Sequence, residues 1–214
     1  MQHFFQSDIK TMEQRYRATF INSLGGFKSL VLVGTSNKDG ATNLAAFSSL
    51  FHIGANPPLC GLIVRPDDGA ERHTLSNIEK TGCYTVNHVM VDFYKKAHQT
   101  SARYPKDVSE FDATGLTPYY IDDFNAPFVG ESAVKFVLEL REKHPLSING
   151  TILLIGEIKH VILPEDAIQT DGFVDIEKAG TVTCSGLDSY HTTHRLARLT
   201  YAKPDSFPNE ITLR

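Results

Sequence analysis

A mainly antiparallel β fold, a barrel with helices at its periphery, is what this 214-residue sequence predicts. Two observations carry the prediction. Apolar runs of strand length, at residues 29–35, 59–64, 84–89 and 151–163, are separated by turn signals such as Asp39-Gly40 and Asn149-Gly150, and such dipeptides favour hairpins over long crossovers. Residues 133–143 alternate Val134, Phe136, Leu138 and Leu140 with Lys135, Glu139 and Arg141, the period of two that marks a strand with one wet face. Strands outnumber helical patterns, so the sheet is expected to be closed on itself rather than doubly wound.

Residues 1–10 read as a loose arm, with Phe4-Phe5 packing on the body or on a partner subunit, residues 11–204 as one domain and 205–214 as a tail. Met12, Tyr16, Phe20 and Leu24 recur every four residues and predict an amphipathic helix stopped by Gly25-Gly26. Residues 29–35 form the first strand. After the turn at 37–40, residues 43–52 run as a strand with a small, polar face, ended by Pro57-Pro58. Residues 59–64 are a buried strand and 67–71 a polar loop. A short helix over 74–81 is stopped by Gly82, and 84–89 return as a strand. Residues 91–99 look helical, with Phe93, Tyr94 and Ala97 on the apolar side, and 104–120 are irregular around a helical turn at Glu110. Phe128 opens the last sheet section, and Gly156 marks a bulge or a close backbone approach in strand 151–163. Residues 172–176 form a short segment leading into the polar stretch 186–204.

With 41% hydrophobic residues the chain buries a substantial core, and a net charge of −4 argues against a nucleic-acid partner. The three cysteines, Cys60, Cys83 and Cys184, lack paired spacing and read as core residues rather than a disulfide. Met1 to Lys10 lacks an apolar signal region, and no run reaches the ~18 apolar residues of a membrane span. A cytoplasmic protein with no membrane partner is expected. His191 and His194 stand three apart, but no nearby Cys or Glu completes a metal set, so no metal site is expected. GxSxG and GxGxxG are absent, which removes the signals of a nucleophile elbow and a Rossmann site.

The chemistry concentrates between Thr42 and Thr74. Small residues, Ala45, Ala46, Ser48 and Ser49, let a planar ligand approach the backbone, whose amides and hydroxyls bond its polar edge. Arg65, Arg72 and Thr74 at a helix N-terminus suit a phosphate. A platform followed by a phosphate clamp is the order expected of a site for a phosphorylated ring cofactor.

Five pieces in this order, DGATNLAAFSS, NPPLCGLIV, RHTLSNIEKTGCYTVNHV, NGTILLIGEI and DGFVDIEKAG, resemble the flavin reductase-like family, over roughly residues 19–204. Ala46 stands where that family often has proline, and Arg72-His73 where it often has Lys-Asp. The resemblance implies an antiparallel split β-barrel with peripheral helices and a helical insertion, binding FMN. It implies cofactor contacts at Thr42, Asn43, Leu44, Ala45, Ser48, Ser49, Arg65, Arg72, His73 and Thr74, with backbone amides of residues 43–46 stabilising negative charge on the reduced ring. It further implies NADH or NADPH as hydride donor, a small-molecule acceptor and a two-fold homodimer. An FMN electron carrier like flavoredoxin, serving a redox partner protein without its own nicotinamide site, is the alternative; a small-molecule-binding barrel that has lost flavin is a third. No acid–base set is needed, because the cofactor carries the chemistry. The segment Gly186 to Arg195 resembles the family's closing segment, and His191 is the candidate there for docking the nicotinamide.

Overall fold

The computed structural model describes residues 1–66, 72–105 and 107–211. The polar loop expected at 67–71 lies outside the described residues, as does the end of the tail, 212–214.

The centre is a seven-stranded antiparallel sheet in the order β3-β2-β6-β9-β10-β5-β4. Its strands are β2 (Val31–Ser36), β3 (Thr42–Phe47), β4 (Phe51–Ala55), β5 (Pro58–Val64), β6 (Cys83–His88), β9 (Lys135–Pro145) and β10 (Ile152–Ile162). The sheet is not closed by a continuous ladder, which makes the barrel a split one: β3 and β4 are its two edges. Just before β4 begins, the Ser49 hydroxyl extends the pairing, donating to the Ile63 carbonyl (2.9 Å) and accepting from the Ile63 amide (3.2 Å).

Both faces of the sheet are covered, so all six residues of β2 are buried. Alternation sorts its side chains. Val31 and Val33 face a core with Leu62, Tyr84, Val86, Phe136, Leu138 and Leu154. Leu30 and Leu32 join Leu44, Val89, Phe93, Phe111 and Cys184 in a second core. This second core is roofed by α4 (Tyr94–Gln99), α5 (Glu110–Thr114) and a small sheet of β1 (Lys28–Ser29), β11 (Thr183–Ser185) and β12 (Ser189–His191).

A hairpin of β7 (Pro118–Ile121) and β8 (Phe124–Val129) crosses β2 and β6. It is held by polar side chains rather than a ladder. Thr85 Oγ1 donates to the Pro127 carbonyl (2.6 Å), Ser36 Oγ donates to the Asn125 carbonyl (2.9 Å), and the Val129 amide donates to Asn87 Oδ1 (2.9 Å). The approach is possible because residue 34 is glycine: a Cβ there would fall on the Pro127 carbonyl. Gly156 has a similar role, because a Cβ at that position would fall on the buried Tyr84 hydroxyl. The close neighbour is a side chain rather than a backbone, and the expected bulge is present as well, the β9–β10 register shifting between Ile155 and Gly156.

Several expectations are corrected. The single helix over 11–24 is two, α1 (Gln6–Thr11) and α2 (Gln14–Leu24), so the arm at 1–10 is partly helical. The Glu13 carboxylate breaks the run by capping α2, accepting from the amides of Arg15 (2.7 Å) and Tyr16 (3.0 Å). Neither helix has a buried residue, and Phe20 packs on Phe4 and Tyr16 rather than on the core. The strand expected at 43–52 is β3 and β4, because the chain there passes from one sheet edge to the other. Residues 29–35 divide between β1 and β2, and the last sheet section opens at Phe124 rather than Phe128. Lys135 does not face water. Its ammonium is buried against the carbonyls of Val129 and Gly130 (both 3.1 Å) and over the Tyr119 ring. The short segment at 172–176 makes an isolated Ile168–Val174 bridge, and the stretch after 182, for which no strand was expected, supplies β11 and β12.

Two predictions follow from this packing. Gly34→Ala drives a methyl into the Pro127 carbonyl, which Thr85 holds in place, and is expected to cost about 2–3 kcal/mol; urea titration measures it, and a loss below ~0.5 kcal/mol would contradict the crossing. His88, whose Nδ1 lies 3.2 Å from Thr181 Oγ1, is pushed down to about 4 by burial. Its folded value lies below the unfolded one of about 6.5, so its contribution is whole above pH ~6.5 and is lost as pH falls toward 4. Wild type is expected to lose on the order of 2–3 kcal/mol more than His88→Gln between pH 7 and pH 4. Parallel denaturation curves would contradict the assignment.

Candidate functional site

The site grows from the free edge of β3. The Leu44 amide points away from β2, because it donates to Glu110 Oε2 (2.9 Å). Backbone groups alternate along an antiparallel strand, so Thr42 and Ala46 present theirs to the same open edge, and Asn43 and Ala45 turn theirs to β2, opposite Thr35 and Val33. Helix α5 therefore covers the first half of the edge. Ser109 caps that helix, accepting from the Phe111 amide (3.3 Å), and its hydroxyl meets Thr42 Oγ1 at 2.7 Å. Of the amides of residues 43–46, this leaves Ala46 as the one on the open edge and clear of Glu110. Its small side chain turns inward onto the second core.

Behind the edge lies a buried polar knot. Asn43 Nδ2 donates to Thr74 Oγ1 (2.9 Å) and weakly to Thr35 Oγ1 (3.4 Å), and Asn77 Nδ2 donates to Thr35 Oγ1 (3.1 Å). These bonds tie β3 and β2 to the first turns of α3 (His73–Thr81), which ends on Gly82 in the left-handed conformation. Thr74 is thus bonded to the platform strand itself. Arg72 donates from Nε (3.3 Å) and Nη2 (3.0 Å) to the Pro66 carbonyl, holding the exit of β5 to the entry of α3. Arg65 is exposed at the end of β5, Ser48 is half-buried after β3, and the Ser49 hydroxyl is engaged in the barrel seam.

A cavity of about 500 Å³ opens beside this edge, in the size range of small-ligand sites. It brings together Thr42, Asn43 and His73 of the expected residues; Leu44, Ala45, Ser48, Ser49, Arg65, Arg72 and Thr74 do not line it. His73, Ser76, Asn77 and Lys80 line it from one face of α3, with Lys38 from the hairpin turn and Glu110 opposite. Sequence reasoning missed Lys38, Lys80 and Glu110. The positions 73, 76, 77 and 80 follow helical spacing, so the polar face of α3 could have been projected. The reach of Glu110 across 66 residues to Leu44 could not.

His191 is not among the residues lining the cavity. Its Nε2 lies 2.8 Å from Ser185 Oγ and 3.2 Å from Ser189 Oγ, and its ring stands edge-on to Phe27. The adjacent Tyr190 packs on Tyr94 and the second core, and its hydroxyl bonds His98 Nδ1. Burial pushes the Tyr190 phenol up. Among the described residues no three His, Cys, Asp or Glu side chains converge as a metal set, and no helix is long and apolar enough to cross a membrane.

Residues 24–177 match the family model described as the flavin reductase like domain. A crystal structure classed as a flavin reductase with a split-barrel domain, from Shewanella frigidimarina NCIMB 400, superposes with a TM-score of 0.91 at 55% identity, over 94% of this chain and 100% of that one. Flavoredoxin of Desulfovibrio vulgaris (Miyazaki F) superposes with a TM-score of 0.68 at 25% identity, over 85% and 92%. Nitrilotriacetate monooxygenase component B from Bacillus cereus shares the fold, with a TM-score of 0.82 at 20% identity over 93% and 98%.

The Glu110 contact makes a prediction of its own. Glu110→Ala is expected to cost about 2 kcal/mol, because it removes a charge-assisted bond and bares the Leu44 amide, whereas Glu110→Gln retains an acceptor and should cost less than half of that. Equal losses in equilibrium unfolding would show that the carboxylate does not cap the strand.

Proposed function

The chain belongs to the flavin reductase-like domain family, and from that premise we propose that it is an FMN-binding oxidoreductase that takes hydride from NADH or NADPH and passes the electrons to flavin or another small acceptor. The observation that carries the reading is the half-covered edge of β3. Glu110 occupies the Leu44 amide, at the end of the strand that borders the cavity, and leaves the Ala46 amide, next to Ala45 and two residues before Ser48, directed outward.

The donors present fit the cofactor. The Ala46 amide and the Ser48 hydroxyl suit the polar edge of a flat ring, and the small side chains let it approach. Lys80 on α3, Lys38 on the hairpin turn, and Arg65 and Arg72 at the strand exit supply positive charge for a phosphate, and His73 also lines the cavity. A bound flavin supplies the hydride-accepting ring. The chain's own part is to hold that ring, to place an amide where negative charge develops on reduction, and to keep water from one face with β3 and the α4–α5 insertion. The Asn43–Thr74–Thr35–Asn77 knot fixes β3 relative to α3, and so sets the distance between ring platform and phosphate end.

The likeness to flavoredoxin supports a second reading, an FMN carrier that receives its electrons from a redox protein. One experiment separates the two. The purified protein is loaded with FMN, and NADH or NADPH is added without oxygen. The expected outcome is binding of FMN and rapid bleaching of its visible absorption by one of the nicotinamides. Bleaching only by a reduced redox protein assigns the carrier reading, and failure to bind FMN overturns both.

A further inference from the structure

The buried knot behind β3 has a direction as well as a place. Thr35, Asn43, Thr74 and Asn77 are each less than a tenth exposed, so their polar groups find partners within the knot or in what fills the adjoining site. The side-chain amide of Asn77 donates to Thr35 Oγ1 (3.1 Å), and that of Asn43 donates to the same oxygen (3.4 Å). A hydroxyl oxygen has two lone pairs, and both of those on Thr35 are then taken. The other Asn43 hydrogen goes to Thr74 Oγ1 (2.9 Å). Donation therefore runs from β3 to α3, and Thr74 is where it ends.

At Thr74 the donors and acceptors do not balance. Its oxygen accepts from Asn43, and its own proton has no acceptor among the described residues. The Thr74 and Leu75 amides stand beside it in the first turn of α3. They precede the first amide bonded within the helix, that of Ser76 to the Arg72 carbonyl (3.0 Å), and the Arg72 side chain does not cap the turn. A buried hydroxyl and two backbone amides, all left with a proton to give, suit a ligand group that only accepts. A phosphate is such a group, and its charge strengthens each bond.

We propose that Asn43 is a positioning residue for the phosphate of a bound FMN: by donating to Thr74 it leaves that hydroxyl one role, donor to the phosphate, while Thr35 holds the Asn43 amide in the orientation that does so. The inference rests on the reading above that the chain binds FMN. It departs from what the family resemblance implies for Asn43, which is a contact with the cofactor itself. The side chain has to be an amide because the bond is directional. An ionised aspartate has the same shape but only accepts. Beside it the Thr74 proton would turn inward, and the phosphate would meet the lone pairs of the hydroxyl oxygen. The strand would still be tied to the helix, with the bond reversed.

FMN and riboflavin, which lacks the phosphate, are titrated by flavin fluorescence into the wild type, Asn43→Ala and Asn43→Asp, each with Thr74 intact and with Thr74→Ala. Thr74→Ala alone is expected to weaken FMN roughly 10- to 100-fold, as loss of one charge-assisted hydrogen bond does. Asn43→Ala leaves the hydroxyl free to turn and is expected to weaken FMN about 5-fold; Asn43→Asp should cost at least as much as Thr74→Ala. With Thr74→Ala in place, Asn43→Ala should cost less than about twofold more, and the cost of Asn43→Asp should shrink about 10-fold. Riboflavin should change less than about threefold throughout. Additive losses for Asn43→Ala and Thr74→Ala would mean that Asn43 touches the ligand itself, and would overturn the proposal. An Asn43→Asp protein that holds FMN like the wild type does the same, because it shows that the tie between β3 and α3 matters and its direction does not. So does riboflavin weakened as much as FMN. If the buried carboxylate keeps Asn43→Asp from folding, the two alanine variants and their double decide alone. A wild type that binds neither flavin overturns the FMN reading and this inference with it, whereas one that binds FMN and gives additive losses overturns only the inference.

Discussion

The crossing of β8 over β2 and β6 is the contact on which the rest of the structure hangs. Two strands at that angle cannot share a ladder, so their backbone groups need other partners. Thr85, Ser36 and Asn87 provide them, and Gly34 removes the one Cβ that would hold the strands apart. The consequence reaches beyond the crossing. Residues 89–117, which carry α4 and α5, leave the sheet at the end of β6 and return at the start of the β7–β8 hairpin. With both ends pinned, the insertion has one place to lie, over the outer face of β2 and β3. That placement delivers Glu110 to the Leu44 amide.

An edge strand with bare amides invites pairing with another chain. The fold answers differently along the length of β3. Glu110 and Ser109 occupy the first half, against which the polar cavity lies, and small residues leading to the Ser48–Ser49 turn leave the second half open. A strand covered throughout would have no donors to offer a ring, and one left open throughout would be an aggregation site. The opposite edge, β4, is relieved at its start by Ser49, whose hydroxyl serves as acceptor and donor for Ile63. A serine that could have faced a ligand is thus part of the barrel seam.

Charge and apolar surface are separated in the same deliberate way at the chain's end. The ion pairs of Arg195 and Arg198 are only partly exposed and are stacked on Phe173, which gives them more effect than ordinary surface pairs. They set the direction of the hairpin at residues 198–211 without burying any of its large side chains.

Much of this was legible in the sequence. Turn dipeptides and period-two patterns located β5, β6, β9 and β10 within a few residues, the stop at Gly82 located α3, and the small residues of 43–49 fall on and just after β3, the strand that borders the candidate site. These are local signals, set by φ/ψ preference and by which side chains share a face. The same signals misjudged α1–α2, whose apolar face has no core beneath it, and Lys135, whose ammonium finds carbonyls on a neighbouring strand. Periodicity reports that a face is apolar or polar, but not what lies against it. It also cannot say which edge of a strand is paired. That Leu44 is capped and Ala46 is left open, that Ser49 closes the seam, and that Thr74 bonds Asn43 were decided only by contacts between residues 14 to 66 positions apart. Such contacts exist only after the chain has closed those loops, and no local preference encodes them.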